Sequence, residues 1–196
     1  MSGWGNRTNS RLCKLILITA VLAACSSRNI SDNYHDPEMD FSALRNVAVM
    51  PFANLTNDRL AAERVRNSFM TSLLSTGVVY VIPPGEVARG IQRLGLTNPT
   101  APSTEDVAKL APVIGADAVI TGVLTEYGEV RSGTTTANVI SLNMQMIESQ
   151  TRKVVWTAST TKGGISAWDR LFGGGGRPMN DVAEAAINDI LHKLFY

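Results

Sequence analysis

Residues 140–146 read Ile140-Ser141-Leu142-Asn143-Met144-Gln145-Met146, and this alternation decides the fold. Ile140, Leu142, Met144 and Met146 share one face of an extended chain, and Ser141, Asn143 and Gln145 share the other. A period of two is the mark of a half-buried strand. Downstream, residues 148–153 form a polar turn and residues 154–160 return as the hairpin partner. Upstream, residues 116–124 are a strongly apolar run that reads as another strand. The second half of the chain is therefore a meander.

The first half has a different rhythm. Asn46-Val47-Ala48-Val49-Met50-Pro51-Phe52 is a short apolar run closed by a proline, as a buried strand would be. Residues 54–58, Asn-Leu-Thr-Asn-Asp, make a polar turn rich in helix-capping side chains. Ala62, Val65, Phe69 and Leu73 then recur at spacings of three and four, one face of a helix that Gly77 would end. Residues 78–82 read as a second buried strand, stopped by Pro83-Pro84. Val87, Ile91 and Leu94 predict a short helix ended by Gly95. Ser103 with Asp106 has capping-box spacing ahead of a third helix that carries Val107, Leu110 and Ile114 inward and stops near Pro112 to Gly115. Asn180 is placed to cap a last helix bearing Val182, Ala186, Ile190 and Leu194.

The expected order is β-α-β-α-α-β-β-β-α. Crossovers in the first half favour parallel neighbours, so the fold class is α/β, a mixed sheet with helices packed on it. One domain, residues 45–196, accommodates all of it.

The N-terminus carries an address. Arg7, Arg11 and Lys14 precede an apolar run over residues 15–24, and Leu22-Ala23-Ala24-Cys25 closes it. A basic segment, a short apolar segment and small residues at the cut make a secretory signal peptide. The run is too short to span a bilayer, which needs about 20 apolar residues. Leu22-Ala23-Ala24-Cys25 resembles the bacterial lipobox, whose cysteine is acylated, by palmitate among other chains, and becomes the first mature residue. That resemblance implies residues 1–24 as signal peptide, Cys25 as the lipidation site and Ser26 as the residue that sorts the protein to the outer membrane, facing the periplasm. Residues 25–44, polar and aperiodic, then read as a flexible lipidated tether. Even fully extended, about 20 residues reach only about 70 Å.

Composition narrows the rest. Cleavage before Cys25 leaves 172 of the 196 residues, and the loss of three basic residues changes the formal charge from +1 to −2. No basic footprint for nucleic acid remains. Cys13 leaves with the signal and Cys25 is the lipid site, so the mature domain has no thiol for a disulfide, a metal or a nucleophile. His35 falls in the expected tether, and His192 in the last turn of the final helix, where an imidazolium suits the helix dipole. No His/Cys/carboxylate cluster has zinc spacing. Glu126 and Glu129, three apart on a strand, would point to opposite faces. Residues 173–178 lack the phosphate-cradling loop pattern. No catalytic residue, cofactor, metal or small-molecule substrate is expected. Trp168, Leu171 and Phe172 lie in a glycine-bounded loop and are the interface candidates.

Two stretches carry a family resemblance: Val47-Ala48-Val49-Met50-Pro51-Phe52-Ala53-Asn54 and Ile114-Gly115-Ala116-Asp117-Ala118-Val119-Ile120-Thr121-Gly122. With the hairpin from Leu142 through Trp156, they resemble a superfamily of envelope proteins. Its members include the curli secretion channel CsgG, the penicillin-binding-protein activator LpoB and the N-terminal domain of TolB. The pattern is nearest a CsgG-type core without its transmembrane hairpins. Residues 130–139, one insertion site, have almost no lipid-facing apolar series, and residues 163–179, the other, are interrupted by glycines. The resemblance implies a non-enzymatic outer-membrane lipoprotein, an assembly or interaction subunit of an export or cell-wall complex. Its partners would be the membrane, through the lipid, and further copies of itself or another envelope protein. A pore-forming secretion subunit and a penicillin-binding-protein activator are the alternatives.

Overall fold

The computed structural model describes residues 32–132, 135–164 and 176–196. They build one mixed sheet flanked by helices on both faces. The strands are β1 (Asn33–His35), β2 (Asn46–Val49), β3 (Ala53–Asn54), β4 (Tyr80–Val81), β5 (Ala118–Ser132), β6 (Thr135–Glu148) and β7 (Val154–Gly163). The helices are α1 (Ala61–Ser75), α2 (Pro84–Leu94), α3 (Thr104–Ile114) and α4 (Met179–Phe195), with a 3₁₀ turn at Phe41–Ala43. Across the sheet the order is β1-β7-β6-β5-β2-β4, and β3 continues the pairing on β5 beyond β2. β2 lies parallel to both β4 and β5, whereas β5, β6, β7 and β1 are antiparallel in turn.

Alternation along the strands divides the core in two. Val47, Val49, Ile120, Leu142, Met144 and Met146 face α1 and α4, together with Phe69, Leu73, Ile187 and Ile190. Ala48, Met50, Val119 and Ile147 face the other way, against Val107 and Leu110 of α3 and Val87 of α2. The α2–α3 layer thus covers the parallel end of the sheet. On that side Ser141, Asn143 and Gln145 of β6 stay at least partly open to water, as one face of an antiparallel sheet can.

Local chemistry sets the element ends. The Ser103 hydroxyl accepts from the Asp106 amide at 3.1 Å while Asp106 accepts from the Ser103 amide at 3.0 Å, a reciprocal capping box. Gly95 and Gly115 end α2 and α3 in the left-handed conformation, at φ +60 and +71. Pro84 opens α2, where the missing N–H costs nothing. Gly122 serves a different purpose: a Cβ there would sit 2.8 Å from the Phe52 ring, so the bare backbone is what lets the ring lie on β5. Gly90 does the same between helices, since a Cβ would meet Ile114 at 2.6 Å and Leu110 at 2.7 Å.

Four details differ from the sequence reading. First, the segment expected to be tether joins the domain from Asn33: β1 pairs antiparallel with Thr157 and its neighbours, Leu44 is buried, and Met39 and Phe41 pack on the core. Three residues are too few to show a period, so composition alone concealed them. Second, β5 and β6 run well past Leu124 and Ile140, as a paired arm reaching Ser132 and Thr135. A bulge between Leu124 and Glu126 interrupts the alternation there. Third, β4 is only two residues long, although the Ile82 amide still bonds the Val47 carbonyl at 2.9 Å. Fourth, Asn180 does not cap α4: Pro178 occupies the N-cap position and Asn180 lies inside the first turn.

Candidate functional site

The expected anchor and sorting residues, Cys25 and Ser26, and the interface candidates Trp168, Leu171 and Phe172 all lie outside the described residues. Among the described residues no cluster of three or more His, Cys, Asp or Glu side chains is arranged to hold a metal ion. Glu126 and Glu129 are both exposed. His192 is exposed, its ring 5.2 Å from that of Tyr196. His35 is not in a tether. It lies in β1, its Nε2 is 3.2 Å from the Leu194 carbonyl, and its ring meets Phe41 edge-on at 5.3 Å.

Two linked features stand out at the α4 side of the sheet. The first is an ionic cluster that fastens α4 to β7 and β1. Lys193 Nζ lies 2.6 Å from Asp32 Oδ2 and 2.7 Å from Asp189 Oδ2, and it donates to the Ser159 carbonyl at 2.8 Å. Lys162 Nζ reaches the other Asp189 oxygen at 2.6 Å. Two cations thus share one carboxylate that is only a quarter exposed. Burial alone would raise the Asp189 carboxyl, but Lys162, Lys193 and the Thr160 hydroxyl outweigh it and hold it at about 2. Lys193 is raised in turn: desolvation opposes its charge, and Asp189 and Asp32 overcome that. Nearby, the Trp156 indole N–H donates to the Lys193 carbonyl at 2.9 Å. That bond satisfies an indole whose ring is fully buried.

The second feature is an apolar cavity of about 410 Å³ at the end of the sheet where β2 and β5 begin. Its depth is made by Val47, Leu73 and Ile120, which are wholly buried, with Met146 and Leu194 beside them. Its mouth lies between Val78 after α1, Ser42 in the 3₁₀ turn and Tyr196 after α4. Val78 is 52% exposed and Tyr196 92%. Because Val47, Leu73 and Ile120 have no solvent exposure, the hollow is open at its lip and does not run into the core.

A wider, polar groove of about 620 Å³ runs between α1 and α4, past Asn67, Ser68, Thr71 and Glu184. Arg66, on the same helix, turns inward instead. Its Nε donates to the Met50 carbonyl at 2.9 Å and its Nη2 to the Val49 carbonyl at 2.6 Å, tying α1 to β2 where Pro51 ends the strand. Burial lowers its pKa, with Glu63 acting the other way. Periodicity gave no sign of either polar lock, because Lys193 and Arg66 each sit one step off an apolar stripe.

The family described as "Putative lipoprotein GNA1162-like" matches residues 34–195. The "Putative lipoprotein NMB1124/NMB1162" of Neisseria meningitidis serogroup B is 25% identical over 187 residues, covering 92% of this chain and 82% of that protein. Among solved structures, lipoprotein GNA1162 from Neisseria meningitidis superposes with a TM-score of 0.54 at 22% identity, over 76% of this chain and 99% of that one. A PelC dodecamer from Paraburkholderia phytofirmans gives 0.55 at 20% identity, over 82% of this chain and 95% of that one. At these identities the two structures share the fold with this chain.

Proposed function

We propose, on the premise that this chain belongs to the GNA1162-like lipoprotein family, that it is a lipid-anchored, non-enzymatic assembly subunit of the bacterial outer membrane. One observation carries the reading: Leu22-Ala23-Ala24-Cys25 stands at the end of an export signal, directly ahead of a domain that matches a lipoprotein family from residue 34 onward. The anchor is the lipid on Cys25, Ser26 directs it to the outer membrane, and the folded body faces the periplasm. The kinship with CsgG-type cores belongs to the same proposal.

Self-association is the favoured mode of action. PelC, which shares the fold, crystallised as a dodecamer. The alternative of a pore finds little support in the β5–β6 arm. Beyond the bulge it extends only from Glu126 to Ser132 on β5, short of the roughly 9–11 residues a spanning strand needs. Neither of its faces is continuously apolar, since Glu126, Gly128 and Val130 alternate with Tyr127, Glu129 and Arg131.

The test is cellular and physical together. Wild-type protein should fractionate with outer membranes and, in detergent, have the mass of a closed oligomer. Cys25→Ser should release it into the soluble periplasmic fraction. Retention of Cys25→Ser in carbonate-washed membranes overturns the anchor, and a monomeric mass for the detergent-extracted wild type overturns self-assembly. Trp168→Ala with Phe172→Ala should shrink the oligomer and leave the melting temperature nearly unchanged, as interface aromatics do.

A further inference from the structure

We infer that the turn between β3 and α1 of one copy docks into the open apolar hollow of the next, so that copies of this chain join head to tail. This rests on the self-association proposed above and names the two surfaces that carry it. The turn presents Leu55 and Leu60 to water at 69% and 61% exposure, an apolar display of the kind that marks interfaces. Its shape is held from within. The Asn54 side-chain amide donates to the Asp58 carbonyl at 2.8 Å, and the Asn54 side-chain oxygen accepts from the Thr56 amide at 3.0 Å. The Asp58 carboxylate in turn accepts from the Leu60 amide at 3.0 Å. A knob fixed in this way loses little freedom on docking.

The hollow lies at the other end of the same elements. α1 starts directly after the turn, its 15 residues span about 22 Å, and Leu73 near its far end lines the hollow. The sheet repeats the separation: Val47, in the hollow, pairs with Ala118, whereas Asn54, at the foot of the turn, pairs with Leu124. Knob and hollow joined end to end make a heterologous contact, which generates a ring where the rotation closes.

Charge sets the orientation. Arg59 stands between the two leucines in the turn, exposed and, among the described residues, in no ion pair, because Asp58 is taken by Arg64. Beside the hollow, with Leu44 as a common wall, a second depression is lined by Asp36, Glu38, Asp40, Asp117 and Glu148 against one lysine, Lys153. Counting Arg45 and Arg152, its neighbours along the chain, five carboxylates against three cations leave −2. Apolar contact supplies the area and the acidic flank orients the cationic knob. A membrane surface would answer to the leucines alone and a basic peptide to the carboxylates alone. A second copy answers to both.

The experiment uses the full chain extracted in detergent, with light scattering and native mass spectrometry as readouts. Leu55→Asp with Leu60→Asp spoils the knob, and Val78→Arg spoils the lip of the hollow. Each variant by itself should be monomeric with a melting temperature near the parent's, since all three positions are exposed. Mixed in equal amounts, they should form a complex of two chains and nothing larger, because each keeps the surface the other has lost. Arg59→Glu should weaken assembly at least tenfold, and Glu38→Arg in the same chain should restore part of it. Parental mass for both spoiled variants, or a mixture that stays monomeric, overturns the docking and leaves self-association standing. A monomeric wild type removes both. Arg59→Glu assembling as the parent does overturns the role of charge. If the Cys25→Ser chain floats with phosphatidylethanolamine–phosphatidylglycerol vesicles and loses them on Leu55→Asp with Leu60→Asp, the turn is a membrane contact and the proposal falls.

Discussion

Trp156 and Lys193 are bound across the boundary between sheet and helix: the indole N–H of β7 donates to the backbone carbonyl of Lys193 at 2.9 Å, while the ammonium of the same lysine pairs with Asp189 and Asp32. One residue of α4 therefore holds the largest fully buried side chain among the described residues through its backbone, and β1's entry point through its side chain. Trp156→Ala should cost about 3–5 kcal/mol as a core truncation. Trp156→Phe keeps most of the volume and loses the hydrogen bond, so a smaller loss of about 1–3 kcal/mol is expected. Urea unfolding of both variants separates packing from the bond, and equal losses would assign everything to the bond.

The ionic cluster predicts how stability depends on pH. The folded Asp189 carboxyl, at about 2, lies below its ordinary 3.8. Its contribution, at most about 2 kcal/mol for a shift of this size, is fully present above 3.8 and lost as pH falls toward 2. Lys193 is raised, so its contribution holds below its ordinary 10.5 and fades as pH rises through the higher folded value. Asp189→Asn should flatten the acid limb of a plot of unfolding midpoint against pH. An unchanged acid limb would show that other carboxylates govern it.

Gly122 predicts a steric cost. Gly122→Ala places a methyl 2.8 Å from the Phe52 ring, which is itself buried and abuts Phe69 at 6.2 Å between centroids. Overpacking of this kind costs about 1–3 kcal/mol. A double variant with Phe52→Leu should recover part of the loss. Additive losses in thermal unfolding would mean that the two sites do not touch.

The capping box is the mildest test. Ser103→Ala removes an acceptor for the Asp106 amide and should cost about 1 kcal/mol. Ser103→Asp keeps an acceptor but sets a second carboxylate beside Asp106, so it should recover only part of that loss. Chemical denaturation of the three proteins checks the order.

What the sequence made legible follows from where its signals are strong. The β6 alternation is clean because its polar face lies open to water, and the Ser103–Asp106 box works through neighbours three apart. Gly95 and Gly115 were readable as helix ends for the same local reason. β1 escaped because its strand character comes only from pairing with Thr157 and its neighbours, more than a hundred residues away. The upper β5–β6 arm escaped because its burial is uneven: Ala137 and Val139 of β6 are covered while Glu129, Val130 and Arg131 of β5 are exposed, so no sustained apolar period marks it. The cavity and the Lys193 cluster are meetings of distant elements, in which each residue taken singly looks ordinary. Cys25, Ser26, Trp168, Leu171 and Phe172 lie beyond the described residues, and the experiments above bear on them directly.

The pairing of Asp32 with Lys193 also fixes an order of events. A chain made or threaded from its N-terminus presents Asp32 before any of the described helices and Lys193 only after every described strand, so the two partners in this contact are separated by almost the whole of the sheet. Until residues 191–196 are out, Trp156 has no acceptor for its indole and the apolar face of β6 lacks the end of its cover. A chain shortened by that one turn would leave this face wet, and proteases would meet it as an open sheet. The last turn of α4 therefore acts as a seal on the sheet, closed when Lys193 reaches Asp32.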